Sequence, residues 1–241
     1  LTPQRFPPIA GFMRRSLLPL LFVSLTVSAQ EQSVKPGINE KFLDPSLKVE
    51  EWTERFETES REIFTQREAI LKACGITEGM TIADIGAGTG LFTLPFARAT
   101  GPSGKVHAVE IARKFLDHIT ARATAAKLPG IVPVLANPRS VNLPENSIDL
   151  AFICDVYHHF EHPADSMKSL WKAMKPGGTV LLIDFKRIPG TSSEWTLGHV
   201  RAGQDVFEKE ITSAGFEKTD EVKGFLIENY FVKFRKKEAG R

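Results

Sequence analysis

Apolar positions change their period several times along the chain, and each change marks an element. Between residues 47 and 74, Trp52, Phe56, Ile63, Phe64, Ile70 and Leu71 recur at three- and four-residue steps among Glu and Arg. That spacing predicts one long helix or two shorter ones, stopped by Gly75, packed against the domain and forming a lid over its pocket. Beyond it, short apolar runs alternate with helical patterns. Residues 80–85, 105–109, 131–135, 148–154 and 179–185 predict strands. Residues 90–99, 112–126 and 164–174 predict helices, the last stopped by Lys175-Pro176-Gly177-Gly178. The stretch 194–214 reads as helical with a break near Gly203, and 216–222 and 226–235 read as two final strands.

Strands alternating with helices imply a mostly parallel sheet covered on both faces. In such sheets ligands bind outside the carboxyl ends of the strands. Those ends carry Asp84, Glu110, Asn137, Asp155 and Asp184. The first strand breaks into Gly86-Ala87-Gly88-Thr89-Gly90, a turn that lets backbone approach a ligand closely. Asp84 stands two residues ahead of it. A carboxylate there repels a phosphate and suits a cationic or hydroxyl-bearing ligand. The dinucleotide fingerprint Gly-x-Gly-x-x-Gly is also missed, because the third glycine comes one residue early.

Composition narrows the picture further. Residues 1–29 hold Arg5, Arg14 and Arg15 and no acid, so the remainder has 28 basic against 29 acidic residues and a formal charge of −1. That balance excludes a nucleic-acid footprint. Met13 reads as an initiator. Arg14-Arg15, the apolar run from Leu17 to Val27 and the small residues before Gln30 match a secretory leader over 1–29. Export is therefore expected, with a cytoplasmic chain or one anchored by an uncleaved leader as alternatives. The apolar run is too short for a membrane span in the mature chain. Residues 30–46, polar with Pro and Gly, read as a linker, 47–75 as the helical lid and 76–241 as the main domain. Cys74 and Cys154 read as buried thiols, too few for a disulfide framework or a thiolate metal site, and no metal is expected. Nothing in the pattern sets an oligomeric state.

Asp84 before Gly86, Gly88 and Gly90, Glu110 twenty residues beyond Gly90, Asp155 ending the fourth strand and Met174-Lys175-Pro176-Gly177-Gly178 leading into the fifth form a specific combination. With it, residues 50–236 resemble the class I S-adenosylmethionine-dependent methyltransferases, in their small-molecule, ubiquinone/menaquinone-biosynthesis-like branch. The resemblance implies a Rossmann-like seven-stranded, mostly parallel sheet with helices on both faces, an antiparallel last strand and an N-terminal helical extension. It implies S-adenosyl-L-methionine as cofactor and a small-molecule acceptor methylated at O, C or N. Gly86, Ala87, Gly88 and Gly90 would bring backbone to the methionine and ribose parts of the cofactor. Asp84 would help hold the amino group, Glu110 would accept both ribose hydroxyls, and Ile111 would pack on the adenine. Asn137 stands where relatives carry an acid for the adenine amine, and Asp155 would lie near the sulfonium.

Tyr157-His158-His159-Phe160 follows the fourth strand, where relatives place substrate-facing residues. Methyl transfer needs alignment in a water-poor pocket, and a base only if the acceptor must lose a proton. His159 is the first candidate for base or acceptor-positioning group, His158 the second, and Tyr157 is placed with them. Arg55, Arg61 and Arg67 could reach the pocket from the lid. Asp184, Lys186, Arg187, His199 and Arg201 are placed to line an acceptor pocket, whereas Trp52 and Trp195 are assigned to the core. The competing readings are a nicotinamide-dependent oxidoreductase and a non-catalytic S-adenosylmethionine-binding protein.

Overall fold

The computed structural model describes residues 1–4 and 32–237. The expected leader therefore lies, apart from residues 1–4, outside the described residues. In chain order the elements are α1 (Glu40–Leu43), α2 (Val49–Phe56), α3 (Glu62–Thr65), α4 (Arg67–Ala73), β1 (Thr81–Ile85), α5 (Thr93–Thr100), β2 (Lys105–Glu110), α6 (Arg113–Ala125), β3 (Ile131–Leu135) and β4 (Ile148–Cys154). A 3₁₀ turn, Tyr157–His159, precedes α7 (Pro163–Ala173), β5 (Met174–Phe185), α8 (Glu194–His199), α9 (Gln204–Ser213), β6 (Phe216–Val222) and β7 (Asn229–Lys236).

The seven strands form one sheet in the order β3-β2-β1-β4-β5-β7-β6. Strands β1 to β5 run parallel, and β7 is antiparallel to both β5 and β6. The expected mostly parallel sheet with an antiparallel last strand is thus present. Its central strands are apolar in near-continuous runs because helices bury both faces. Alternate residues divide between two cores. Ala83, Ile85, Ala151, Ile153, Val180 and Leu182 face Met167 and Leu170 of α7 and Phe207 and Ile211 of α9. Ile82, Leu150, Phe152, Leu181 and Ile183 face Phe92 and Phe96 near α5 and Ile70 of α4.

Local signals set the element ends. Pro163 opens α7, where a missing N–H costs nothing. Ser193 caps α8 by accepting the Thr196 N–H at 3.1 Å. The break expected near Gly203 separates α8 from α9, with Gly203 at the N-cap. Two expectations differ. Helix α7 ends at Ala173, just ahead of Lys175–Gly178 as expected, but that stretch lies inside the span of β5, which starts earlier than the expected residue 179, and the β4–β5 register shifts across it. Lys175 there bonds both Asp149 oxygens at 2.8 Å, and Gly177 takes a positive φ of 72°.

The N-terminal extension is also more divided than its periodicity suggests. Three helices replace the expected one or two, because the 57–61 stretch leaves helical geometry between Phe56 and Glu62. Residues 32–46, read as a linker, carry α1 and pack on the domain: the Val34 N–H donates to the Glu161 carbonyl, and Asn39 Nδ2 donates to the His159 carbonyl at 3.0 Å and to Glu161 Oε1 at 3.1 Å. Polar composition hid this because the contacts are polar. Among the described residues no helix is long and apolar enough to cross a membrane.

Helix α4 belongs to the core of the sheet rather than to a detachable lid, since Ile70 is fully buried with Ile82, Phe96 and Phe152. Ile70→Ala should cost about 2–5 kcal/mol, read as a lowered urea midpoint. A loss below about 1 kcal/mol would show that α4 packs loosely.

Candidate functional site

A cavity of 1220 Å³ opens at the carboxyl ends of β1, β2, β4 and β5. Small-molecule sites run to roughly 300–1,000 Å³, so this one has room for two molecules together. Its floor is the β1 turn. The Gly86 and Ala87 N–H groups both donate to the Val109 carbonyl at the end of β2, at 2.8 and 3.2 Å. Gly86 needs to be glycine: its φ is +70°, and a Cβ would lie 2.3 Å from Val156 Cγ2. Gly86, Ala87 and Gly88 line the cavity. Gly90 does not, which corrects its expected ligand role. A Cβ there would meet Ile119 of α6 at 3.0 Å, so this glycine lets the turn pack on a helix.

Two acids stand beside the turn. Glu110 accepts three backbone N–H groups, from Gly88 at 3.0 Å on one oxygen and from Ile111 at 2.7 Å and Ala112 at 3.0 Å on the other. Burial raises its pKa and these bonds oppose the rise. They also fix the carboxylate while leaving lone pairs for a ligand. Asp84 is 4 % exposed and accepts a hydrogen bond from the Thr93 hydroxyl. Burial, opposed by that bond and helped by the Glu110 charge, pushes its pKa from 3.8 up to about 7. Ile111 lines the cavity. So does Asn137, whose Oδ1 accepts the Arg139 N–H at 2.9 Å in a tight turn closed against Ser140.

Asp155 sits in left-handed backbone, φ +51°, a strained conformation for an ordinary residue. The next residue, Val156, holds the N-cap place of the 3₁₀ turn. The Asp155 carboxylate takes the Arg61 guanidinium of the N-terminal extension and Asn229 Nδ2 at 2.6 Å. Burial raises its pKa to about 6 against the pull of Arg61. The N-terminal extension is held elsewhere too. Glu62 accepts the N–H groups of Ile227, Glu228 and Asn229. Glu57 takes Arg122 Nη1 at 2.6 Å and the Thr89 hydroxyl at 2.8 Å.

Beyond the acids the cavity turns to rings. Phe42, Trp52, Phe56, Phe160, Phe185 and Trp195 line it; Trp52 also packs against the buried Leu47, Val49 and Phe115, as its core assignment expected, whereas Trp195 is exposed and belongs to the pocket instead. His158, His159 and His199 converge there. His158 Nδ1 lies 2.8 Å from Asp184 Oδ1, and His159 Nε2 lies 3.2 Å from His199 Nε2. Burial first, then the neighbouring cations and imidazoles, lowers the His159 pKa to about 2 and that of His199 to about 4.

Several expected positions move. Tyr157 is fully buried and its ring packs on Phe160 and Phe207, 4.8 and 5.0 Å between centroids. It faces the core, which corrects its placement among catalytic residues: one step along the 3₁₀ turn separates a core-facing ring from a cavity-facing one. Asp184 is fully buried behind His158, and Arg201 pairs with Glu210 at 2.6 Å instead of lining the pocket. Arg187 bonds the Val200 and Leu197 carbonyls. The polar wall from Lys35 to Lys41 was not foreseen.

A family model described as a methyltransferase domain matches residues 83–182. The ubiquinone/menaquinone biosynthesis C-methyltransferase UbiE of Ectopseudomonas mendocina is 30% identical over 121 residues, covering 50% of this chain and 47% of that protein. The chain thus spans about half the length of this relative. Among solved structures, an S-adenosylmethionine-dependent methyltransferase from Aquifex aeolicus matches with a TM-score of 0.69 and 21% identity, over 77% of this chain and 97% of that one. Phosphoethanolamine N-methyltransferase 2 of Haemonchus contortus matches with a TM-score of 0.55 and 22% identity, over 71% of this chain and 46% of that one.

Asp84 supplies a test of the site's electrostatics. Its folded pKa of about 7 exceeds its ordinary 3.8, so the folded chain holds the proton more tightly than the unfolded one. The stability this gives is present below about pH 4 and is lost as pH rises through 7. Asp84→Asn should therefore gain stability over the parent between pH 4 and 7, with a constant gap above about pH 8, read by urea unfolding across that range. A gap independent of pH would show the carboxyl ionised throughout.

Proposed function

We propose that this chain, whose residues 83–182 match a methyltransferase-domain model, moves a methyl group from S-adenosyl-L-methionine to a small organic acceptor at carbon, oxygen or nitrogen. The observation that carries the reading is the pair of buried carboxyls, Asp84 and Glu110, on adjacent strands beside a glycine turn, all lining one cavity. The bound cofactor supplies an electrophilic methyl carbon on a sulfonium.

The residues present fit such a ligand. Glu110 has both oxygens oriented by backbone donors and can accept two hydroxyls of a ribose. Asp84 has a single hydroxyl donor and a raised pKa, so an arriving ammonium would both pair with it and drive it to ionise. Gly86 and Gly88 remove side chains from the approach, and Ile111 offers an apolar surface for a base. Arg61, now on Asp155, ties the lid across the cavity and helps exclude water.

At the acceptor end, His158, His159 and His199 and the surrounding aromatic rings orient the acceptor atom toward the methyl carbon. Alignment in a water-poor cavity is the main contribution required. The lowered pKa values leave His159 and His199 neutral near pH 7 and make each a weak base. Positioning is therefore the role we assign to His159, with His158 beside it. The similar proteins lend no support to a nicotinamide-dependent oxidoreductase or to a non-catalytic binder. The three-part pattern of residues 1–29 supports export, which N-terminal sequencing of the mature protein from fractionated cells checks.

Calorimetry tests the cofactor. S-adenosyl-L-methionine should bind the full chain and NADH should not. Glu110→Gln removes one charge-assisted acceptor, which at about 1.5–3 kcal/mol should weaken binding roughly tenfold to a hundredfold. Equal affinity of parent and variant, or preferential binding of NADH, would overturn the reading.

A further inference from the structure

We propose that His158, His159 and His199 form a binding site for a divalent transition cation of the zinc type, with an open coordination position facing the cavity. One ring nitrogen from each lies within 4.8 Å of the others, and all three residues line the cavity. Two nitrogens bound to one tetrahedral zinc at about 2.0–2.1 Å stand about 3.3 Å apart. His159 Nε2 and His199 Nε2 stand 3.2 Å apart. Imidazole donors suit Zn²⁺ and its first-row neighbours and do not suit Mg²⁺ or Ca²⁺.

The surroundings orient the ligands. Asp184, fully buried, holds His158 Nδ1 at 2.8 Å and accepts the His158 and Phe185 N–H groups at 3.1 and 2.8 Å. A carboxylate on Nδ1 fixes that nitrogen as the N–H donor and leaves the Nε2 lone pair for a metal, the usual support of a metal-bound histidine. It also places a negative charge beside the cation. The Trp195 ring stacks on His199 at 4.7 Å, and the Phe42 edge meets His159 at 5.4 Å, so both rings are held from the side. Lys35, the neighbouring cation, is engaged by the carbonyls of Gly198 and His199.

Three protein ligands leave the fourth position for water or for an oxygen, nitrogen or sulfur donor of a cavity ligand. The site would thus anchor a cavity ligand by coordination. The inference does not rest on methyl transfer, since its test reads metal rather than turnover.

The full chain, free of any polyhistidine tag, is stripped with a chelator and titrated with Zn²⁺ against a chromophoric chelator. One equivalent should bind with micromolar affinity or better, and Co²⁺ in its place should give the intense visible bands of a four-coordinate ion. His199→Gln and His159→Gln should each weaken binding at least about a hundredfold, and Asp184→Asn, which acts through His158, about 10–100-fold. His118→Ala, a histidine of α6 outside the cluster, should leave affinity unchanged. Thermal unfolding checks that each variant is folded. Absence of stoichiometric uptake by the folded parent would overturn the site, leaving the 3.2 Å contact as a hydrogen bond between neutral rings. Undiminished uptake by both folded glutamine variants would overturn it as well.

Discussion

Four carboxylates lie at or just beyond the ends of four adjacent strands, and the cost of desolvating them governs the site. In sheet order they are Glu110 on β2, Asp84 on β1, Asp155 after β4 and Asp184 on β5. A buried carboxylate persists only with donors around it. Glu110 has three backbone N–H groups, Asp155 a guanidinium and a carboxamide, and Asp184 a ring nitrogen and two backbone N–H groups. Asp84 has the Thr93 hydroxyl. The least compensated acid is thus the one beside the glycine turn, which is where a cationic group of a ligand would bring the most relief.

The seating of the N-terminal extension follows from the same constraint. Its Arg61 meets Asp155, its Glu62 gathers three N–H groups from the approach to β7, and its Glu57 spans to Arg122 on α6. Each is a polar contact between distant parts of the chain, made where the sheet leaves charge or backbone unpaired. Aromatic contacts fill the space between: Phe42, Trp52, Phe56 and Phe115 form one connected group, with centroids 4.8 to 6.4 Å apart. Apolar burial therefore seats the extension, and charge pairing sets its register over the cavity.

How much was legible in the sequence follows from range. Strands, their order of appearance, and the acids at their ends were legible because period and turn chemistry act over a few residues. The glycine turn was legible as a ligand approach, though not the packing of Gly90 on Ile119 of α6, a contact 29 positions away. Tyr157 was misplaced because a 3₁₀ turn turns neighbouring side chains to opposite sides, and nothing local says which one faces inward. Polar residues 32–46 looked like a linker because their contacts, Asn39 with His159 and Ser33 with Glu161, are made to residues about 120 positions on. The meeting of His159 with His199, 40 positions apart, was equally hidden.

The two kinds of group along the cavity have complementary electrostatics. Carboxyls beside the glycine turn favour a positive ligand group, and burial keeps His159 and His199 uncharged. The second fact matters to the first. Two like charges 4 Å apart repel by about 4 kcal/mol at an effective dielectric of 20, so a protonated imidazole beside a cationic ligand group would oppose its binding. Neutral rings avoid that repulsion and still present lone pairs to the acceptor side. A cation coordinated there would restore positive charge, but Asp184 behind His158 and an anionic donor in the open position would offset it. Such a site therefore best matches a ligand group that carries negative charge when bound.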